Sequence, residues 1–212
     1  MEKIYKNVIL GKNVEIGDFV IIGKPSLGKK DGELETIIGD NSIIRDNSII
    51  YAGNKIGNNF QTGHHVLIRE NNNIGDNVSL GTFGEVAFNV IIGNNSKFHS
   101  DCHIYEGTLI EEDVRINPGV YILNTKYPYR PGEKPLISPV TIRKGAIISA
   151  GSILMPGIEV GRYSLVGAGS LVSKNVSEYA VVYGRPAVIK GDIRELKNPD
   201  GSQAYLVDSD RQ

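Results

Sequence analysis

The sequence predicts an all-β solenoid, a parallel β-helix whose short strands stack coil upon coil. The main observation is an aliphatic residue at every sixth position from Ile38 to Ile122, with Thr62 as the one polar exception. Neither an α-helix nor an alternating strand generates a strict spacing of six, whereas a hexapeptide period is typical of a β-helix. The series reads Ile38, Ile44, Ile50, Ile56, Thr62, Ile68, Ile74, Leu80, Val86, Ile92, Phe98, Ile104, Ile110, Ile116, Ile122.

A second observation is a small or β-branched residue in the other half of most hexads. One large and one small inward side chain per hexad fill a narrow prism without voids. Cys102 belongs to this second series, which predicts a buried packing thiol. The series reads Ser42, Ser48, Val66, Val78, Val90, Ser96, Cys102, Thr108, Val114 and Val120.

The elements follow from where the repeat runs and where it breaks. A change of phase early in the chain places an inserted loop at about 24–35. A second inserted loop, 124–139, holds four prolines, which a ladder strand excludes. We therefore expect one β-helix over 1–190 and a polar C-terminal tail over 191–212. The tail is predicted to begin with a short helix around Ile193 to Leu196.

Composition and charge argue against several classes of function. The formal net charge of −1 gives no support for binding nucleic acid or an anionic membrane. The first residues lack the apolar core of a signal peptide, and no segment is long enough to span a membrane. The single cysteine excludes an internal disulfide and a cysteine-rich metal site. We expect a cytoplasmic protein without nucleic-acid or membrane partners.

The corners of the predicted prism are where outward side chains stack. Three hexads make one coil, so residues 18 apart are expected to lie about 4.8 Å apart along the axis. This spacing places Glu106 below Asn124, and Ala150 below Ala168. The predicted corner columns are His64, Thr82, Ser100 and Pro118; Glu70, Phe88, Glu106 and Asn124; and Asp76, Asn94 and Glu112.

The segment from His99 to Pro128 resembles a known family. It contains the turn Tyr105-Glu106-Gly107, an acidic hexad, and the loop Asn124-Thr-Lys-Tyr-Pro128. It is similar to the nucleotide-sugar amino-group N-acetyltransferases, except that a threonine replaces the usual acidic second residue of the loop. These enzymes form part of the hexapeptide-repeat acyltransferase superfamily, whose fold is a left-handed β-helix. The resemblance covers about residues 8–190 and includes the ending Gly184-Arg-Pro-Ala187.

The resemblance implies an acetyltransferase that uses acetyl-CoA and requires no metal. The acceptor would be an amino group of a UDP- or dTDP-linked amino sugar, and the amine would attack the thioester directly. Such enzymes are typically homotrimers with sites in the clefts between neighbouring prisms. The attacking amine must lose a proton, and the oxyanion needs a donor such as a backbone N–H.

Three residues are predicted to manage that proton. Glu106 is the first, because the resemblance places an acidic residue at this turn beside the substrate. His64 holds the position of the catalytic histidine in several relatives, and His99 lies at a corner one coil or less from the Glu106 turn. A solvated corner carboxylate, exposed histidines and a water-mediated route are the alternative interpretations.

Two further groups of residues are assigned to the substrates. The residues expected to contact the acceptor are Asn124, Tyr127, Lys126, Phe88 and His103. Small residues at the late corners are expected to leave a groove for the pantetheine arm of the donor, with cations for its phosphates. These residues are Ala150, Gly151, Gly167, Ala168, Lys174 and Arg185. The alternative for the small residues is ordinary corner chemistry, since glycine and alanine recur at such turns.

Other functions compete with this one. An acyltransferase for an amino acid or a free sugar differs only in its acceptor. A carbonic anhydrase of the hexapeptide-repeat type would need three zinc ligands, and His99 and His103 supply a pair at an unusual spacing. A non-catalytic assembly module is the third alternative. The aromatic, basic loop 124–139 favours an acceptor pocket over a scaffold.

Overall fold

The computed structural model describes residues 2–128, 131, 136–205 and 207. Within them, 27 strands form three sheets of nine, eight and ten strands, here called faces A, B and C. Apart from the last two strands, successive strands visit the three faces in turn, so each complete coil contributes one strand to each face. The predicted all-β fold, a parallel β-helix of the left-handed class, is confirmed.

The strand bounds follow the hexad spacing. Face A holds β1 (Lys3–Ile4), β4 (Ile21–Lys24), β7 (Ile49–Tyr51), β10 (Leu67–Ile68), β13 (Glu85–Val86), β16 (His103–Ile104), β19 (Tyr121–Ile122), β22 (Ile153–Leu154) and β25 (Leu171–Val172). Face B holds β2 (Val8–Leu10), β5 (Thr36–Ile38), β8 (Lys55–Ile56), β11 (Asn73–Ile74), β14 (Ile91–Ile92), β17 (Leu109–Ile110), β20 (Thr141–Ile142) and β23 (Glu159–Val160). Face C holds β3 (Glu15–Ile16), β6 (Ile43–Ile44), β9 (Gln61–Thr62), β12 (Ser79–Leu80), β15 (Lys97–Phe98), β18 (Arg115–Ile116), β21 (Ile147–Ile148), β24 (Leu165–Val166), β26 (Ala180–Gly184) and β27 (Ala187–Asp192).

The register is parallel and advances by one coil. Leu67 pairs with Glu85, which pairs with His103, as the 18-residue spacing predicts. Across the second inserted loop the pairing continues, with Tyr121 opposite Ile153. The loop leaves the stack without disturbing it because its ends meet: the N–H of Ser138 donates to the carbonyl of Asn124 at 2.7 Å.

Both inward series are buried. The large series fills the axis of the prism, and Thr62 is fully buried among it. Its hydroxyl accepts a hydrogen bond from the backbone N–H of Arg45 at 2.8 Å and lies 3.4 Å from the hydroxyl of Ser48. Cys102 is buried as predicted, and burial raises the pKa of its thiol to about 11.

The corners use the left-handed backbone region. Each coil turns with a residue at positive φ, most often asparagine or glycine, which tolerate this region best. Gly145, for example, has φ +67° and lies against the ring of Tyr163, where a Cβ would clash. The abundance of asparagine and glycine in the sequence is therefore a consequence of the number of corners.

The C-terminal end holds a hairpin of β26 and β27 that was not predicted from the sequence. β26 continues face C in parallel beside β24, and β27 then returns antiparallel to it. The predicted short helix is confirmed as a 3-10 turn, Ile193–Glu195, capped by Asp192. The guanidinium of Arg194 lowers the pKa of the Asp192 carboxyl to about 2. None of the helices among the described residues is long and apolar enough to cross a membrane.

Candidate functional site

Two corners border the outer surface of face A. The AB corner is formed by the turns that follow the face A strands, and the CA corner by the turns that precede them. The structure places Glu106 and Asn124 at the AB corner. It places His64 and His99 at the CA corner, on the other side of the face A strands. One chain therefore does not bring either histidine to the Glu106 turn.

Glu106 and Asn124 stack as the spacing predicts. The side-chain amide of Asn124 donates to the backbone carbonyl of Glu106 at 3.2 Å, and the hydroxyl of Thr125 donates to the side-chain carbonyl of Asn124 at 3.0 Å. These bonds fix the start of the second inserted loop against the coil below. Glu106 is half-buried, and its carboxylate has no hydrogen-bond or ion-pair partner among the residues that the structure describes. An acceptor amine is the kind of group that such a carboxylate can bind.

The rest of the AB corner is aromatic and charged. Phe88 is half-buried below Glu106, with the guanidinium of Arg69 5.6 Å from its ring. Arg69 forms two hydrogen bonds to Glu70, at 2.9 and 3.0 Å, which raise the pKa of its guanidinium. In the loop, Tyr127 is exposed, with the ammonium of Lys126 5.5 Å from its ring. Arg130, another cation of this loop, lies outside the described residues.

A cluster of polar and aromatic side chains around His103 occupies the middle of face A, between the two corners. The Nδ1 atom of His103 lies 3.1 Å from Glu85, and its Nε2 atom lies 3.0 Å from Asp101. The ring of Tyr121 stacks on the imidazole, with centroids 4.6 Å apart and 7° between the planes. These contacts hold the imidazole in one orientation on an outward surface. His103 is thus the most constrained of the four histidines.

Tyr105 borders the same cluster. Burial raises the pKa of its phenol, and the negative charge of Glu85 adds to the effect. The phenol therefore stays protonated well above neutral pH and can donate a hydrogen bond to a ligand on face A. Tyr105 connects the His103 cluster with Glu106, its neighbour in the chain.

His64 and His99 are both exposed at the CA corner. The Nδ1 atom of His64 lies 3.7 Å from Asp46. The imidazole of His99 makes no hydrogen bond or ion pair within the described part of the chain. Neither imidazole is held by the surrounding structure as His103 is.

The small residues assigned to the donor also lie at the CA corner. Ala150 and Ala168 stack there, and Arg185 donates from Nε to the carbonyl of Gly169 at 2.7 Å. A Cβ on Gly151 would touch only the Cα of Gly169, at 4.0 Å, so this corner has open space. Gly167 differs, because a Cβ there would lie 2.7 Å from the Cβ of Tyr183, which is a packing requirement.

Lys174 does not join that group. It follows β25 at the AB corner and borders an apolar groove of about 340 Å³. Among the described residues there is no cluster of three histidine, cysteine or acidic side chains that could hold a metal ion. A cleft of about 600 Å³ lies at the corner between faces B and C and is lined by a ladder of opposite charges around Arg143 and Glu111.

His103 was predicted to contact the acceptor, but its two carboxylate partners were not predicted. The signal was available, because Glu85 and His103 are 18 residues apart and outward on the same face. Asp101 lies two residues before His103, at the adjoining corner. Applying the 18-residue spacing to the outward positions of the flat faces, and not only to the corners, would have paired Glu85 with His103.

Comparisons with known proteins give a family match and two kinds of relative. Residues 89–124 match the bacterial transferase hexapeptide family, with six repeats. A dTDP-3-amino-3,6-dideoxy-alpha-D-galactopyranose 3-N-acetyltransferase of Aneurinibacillus thermoaerophilus is 48% identical over 50 residues, which are 24% of this chain and 26% of that protein. A serine acetyltransferase of Buchnera aphidicola subsp. Acyrthosiphon pisum is 39% identical over 94 residues, 44% of this chain and 32% of that protein.

A solved structure supports the same fold over most of the chain. The UDP-N-acetylglucosamine acyltransferase of Bacteroides fragilis superposes with a TM-score of 0.62 at 24% identity, covering 90% of this chain and 72% of that one. At this identity the likeness concerns the fold alone. The matches to the two acetyltransferases above span only about a quarter to a third of those proteins. The predicted resemblance to the hexapeptide-repeat acyltransferases is confirmed.

Proposed function

We propose that this chain, which resembles the hexapeptide-repeat acyltransferases, is an acetyl-CoA-dependent N-acetyltransferase for an amino group of a UDP- or dTDP-linked amino sugar. The observation that carries the proposal is the half-buried Glu106 carboxylate, which lies below Asn124 at the loop edge without a partner among the described residues. The local similarity to a dTDP-amino-sugar N-acetyltransferase supports it.

The chemistry requires positioning and one proton acceptor. The neutral amine of the acceptor attacks the thioester carbonyl of acetyl-CoA, forming the N–C bond. As the tetrahedral intermediate collapses, the C–S bond breaks and the electron pair leaves on sulfur. The proton lost by nitrogen passes to the Glu106 carboxylate and from there to the CoA thiolate, so no covalent enzyme intermediate is needed.

His103 is proposed as a second group on the acceptor side. Its imidazole is fixed by Glu85 and stacks on Tyr121. Asp101, which contacts Nε2, is exposed, so a ligand can replace it at that atom. His64 and His99 stay candidates for a site built from two chains, since both lie at the CA corner. In a homotrimer, the CA corner of one prism can face the AB corner of its neighbour.

The donor is proposed to bind at the CA corner of the late coils. Ala150, Gly151 and Ala168 leave open space there for a pantetheine arm, and Arg185 is exposed at the same corner. Backbone groups at such corners can bind the amides of the arm. Lys174 lies at the AB corner, away from the proposed donor groove. It is proposed to contact a phosphate of a donor that is bound at the CA corner of a neighbouring chain.

The test is release of free thiol from acetyl-CoA with a panel of acceptors. The panel holds dTDP-linked 3-amino sugars, UDP-linked amino sugars and L-serine, and mass spectrometry identifies the acetylated product. We expect turnover with at least one nucleotide-linked amino sugar. Turnover with L-serine alone would replace the proposal by the alternative that the similarity to a serine acetyltransferase favours.

The Glu106→Gln variant tests the residue. The amide keeps the shape of the side chain but cannot take a proton, so we expect kcat to fall by about 100-fold, within the range for a general base. Glu15→Gln is the matched control, because Glu15 is an exposed glutamate at the far end of face C. Full turnover by Glu106→Gln would remove Glu106 from the chemistry.

A further inference from the structure

The CA corner carries aromatic residues where its backbone is least suited to them. One residue per coil has positive φ at this corner. In order along the axis these residues are Phe19, Asn47, His65, Phe83, Asp101, Gly119, Gly151 and Gly169. Asparagine, aspartate, histidine and glycine tolerate this region, whereas a phenylalanine there is an outlier that costs free energy. Phe83, at φ +60°, therefore needs an explanation.

Packing explains the strained Tyr163 and Tyr179, but not Phe83 or Phe19, which is 62% exposed. Tyr163 has positive φ at another corner and is 1% exposed, with its ring covering Gly145. Tyr179, also at positive φ, stacks on Tyr163 and lies under the guanidinium of Arg194 at 4.1 Å. Phe83 is 58% exposed, so burial of its ring does not offset the backbone strain.

Phe83 and His65 form a stacked pair that is open to solvent. Their ring centroids lie 5.2 Å apart with 18° between the planes, and His65 is exposed as well. Exposed aromatic rings are surfaces on which a further planar ring can stack. We call these two residues the aromatic platform.

A polar cleft adjoins the aromatic platform. It has a volume of about 340 Å³ and is lined by His64 and Thr82, which directly precede the two platform residues in the chain. Arg45 and Ser100 also line it. The carboxylate of Asp46 lies 3.7 Å from the imidazole of His64. A guanidinium, an imidazole and hydroxyls beside an aromatic surface match the phosphates and base of a nucleotide.

We propose that the aromatic platform of His65 and Phe83 binds the base of the nucleotide-linked acceptor, with its diphosphate in the adjoining cleft near Arg45 and His64. This inference rests on the proposed function and adds the site at which the nucleotide is recognised. It assigns roles to Phe83 and His65, which the acetyl-transfer chemistry does not use.

The position of the platform favours the acceptor over the adenine of CoA. Gly169, in the corner with open space, lies four coils above Phe83, which is about 19 Å along the axis. The coil of Glu106 lies only one step above Phe83, about 5 Å. If the adenine of CoA bound the platform, it would lie at the axial level of the reacting groups. The long pantetheine arm would then not need the groove above that level.

The experiment measures binding of dTDP, UDP and CoA separately by isothermal titration calorimetry. Phe83→Asn introduces the residue type found at most of the described non-glycine positions with positive φ, so the variant should fold with an unchanged or higher Tm. We expect its Kd for dTDP or UDP to rise by about 10-fold or more, because base stacking is lost. The Kd for CoA should stay within twofold of the wild-type value.

Two control variants separate stacking from backbone effects. Phe83→His keeps a planar ring at a residue type that tolerates positive φ, and we expect it to retain dTDP affinity. Phe19→Asn makes the same change at the same corner two coils below His65, and we expect no effect on nucleotide affinity.

The outcomes distinguish this proposal from the proposed function. Equal dTDP affinity of Phe83→Asn and wild type, with amino-sugar acetylation intact, overturns the platform alone. A loss of CoA affinity with dTDP affinity unchanged overturns the assignment to the acceptor. A wild-type protein that binds neither dTDP nor UDP at millimolar concentration overturns the platform together with a nucleotide-linked acceptor.

Discussion

Thr62 shows how a polar side chain is accommodated on the axis of the prism. Its hydroxyl accepts from the Arg45 N–H at 2.8 Å, so a Thr62→Val change preserves shape but leaves that donor without an acceptor. We expect a loss of about 1–3 kcal/mol of unfolding free energy, measured by denaturant titration. Thr62→Ser keeps the hydroxyl and is the control that should retain the bond. A Thr62→Val protein more stable than wild type would contradict this account.

Two glycines with nearly the same backbone test what fills each corner. Gly145 has φ +67° and Gly151 has φ +68°, but only at Gly145 would a Cβ meet the ring of Tyr163. Gly151→Ala should cost about 1–2 kcal/mol from the left-handed backbone alone. Gly145→Ala should cost about 1–3 kcal/mol more, because the Tyr163 ring must move. Thermal unfolding of the pair measures the difference, and equal losses would show that Tyr163 yields freely.

The four histidines mark how far single residues can be read from a repeat. The spacing correctly places His103 outward on a flat face, yet the contacts that distinguish it come from Glu85, Asp101 and Tyr121. Partners one coil away follow from the 18-residue register. The contact between the ring of His103 and the carboxylate of Asp101 at the adjoining corner depends on side-chain rotamers, which the spacing does not specify.

At the scale of elements, a charge ladder joins successive coils at the corner between faces B and C. Glu111 accepts from the Arg143 guanidinium at 2.8 Å and from the Lys144 N–H at 2.9 Å. Burial raises the pKa of Glu111, but these hydrogen bonds outweigh it and leave the pKa below its usual 4.5. The carboxylate therefore stabilises the fold above about pH 4.5, and this contribution is lost as the pH falls through the lowered pKa.

This linkage predicts a pH-dependent effect of Glu111→Gln. The variant should have a lower Tm than wild type at pH 7, and the difference should shrink as the pH falls below about 4.5. Thermal unfolding followed by circular dichroism from pH 7 to pH 3 measures it. Glu195→Gln, at an exposed glutamate in the C-terminal turn, is the control that should show little change at any pH. A Tm difference that stays constant down to pH 3 would exclude Glu111 as the titrating group.

The elements that follow the hexad were predictable, and those that leave it were not. The register, the buried series and the ends of both inserted loops follow from the period alone. The hairpin of β26 and β27 was missed because β27 runs antiparallel, with a bulge, and carries exposed Val188 and Ile189. Its stability comes from pairing with an existing sheet edge, which local sequence does not reveal.

At the scale of the whole molecule, the proposed site is divided between two corners of one prism. Glu106 and Asn124 lie at the AB corner, whereas the open space at Gly151 and Ala168 lies at the CA corner. The strands of face A separate them. A donor and an acceptor on the same chain would therefore approach each other across a flat face. In a cyclic assembly, the AB corner of one chain and the CA corner of the next can form one cleft.

Subunit complementation tests whether the site is shared. Glu106→Gln disables the AB corner, and Ala168→Trp fills the open space at the CA corner; each variant alone should retain at most about 1% of wild-type activity. In the proposed homotrimer, co-refolded from equal amounts of both variants, a cleft is intact when one chain supplies Glu106 and its neighbour supplies Ala168, which gives about one quarter of wild-type activity. A site within a single chain would recover none, because every chain carries one defect. Mixing without unfolding is the control and should stay inactive, since subunits then do not exchange.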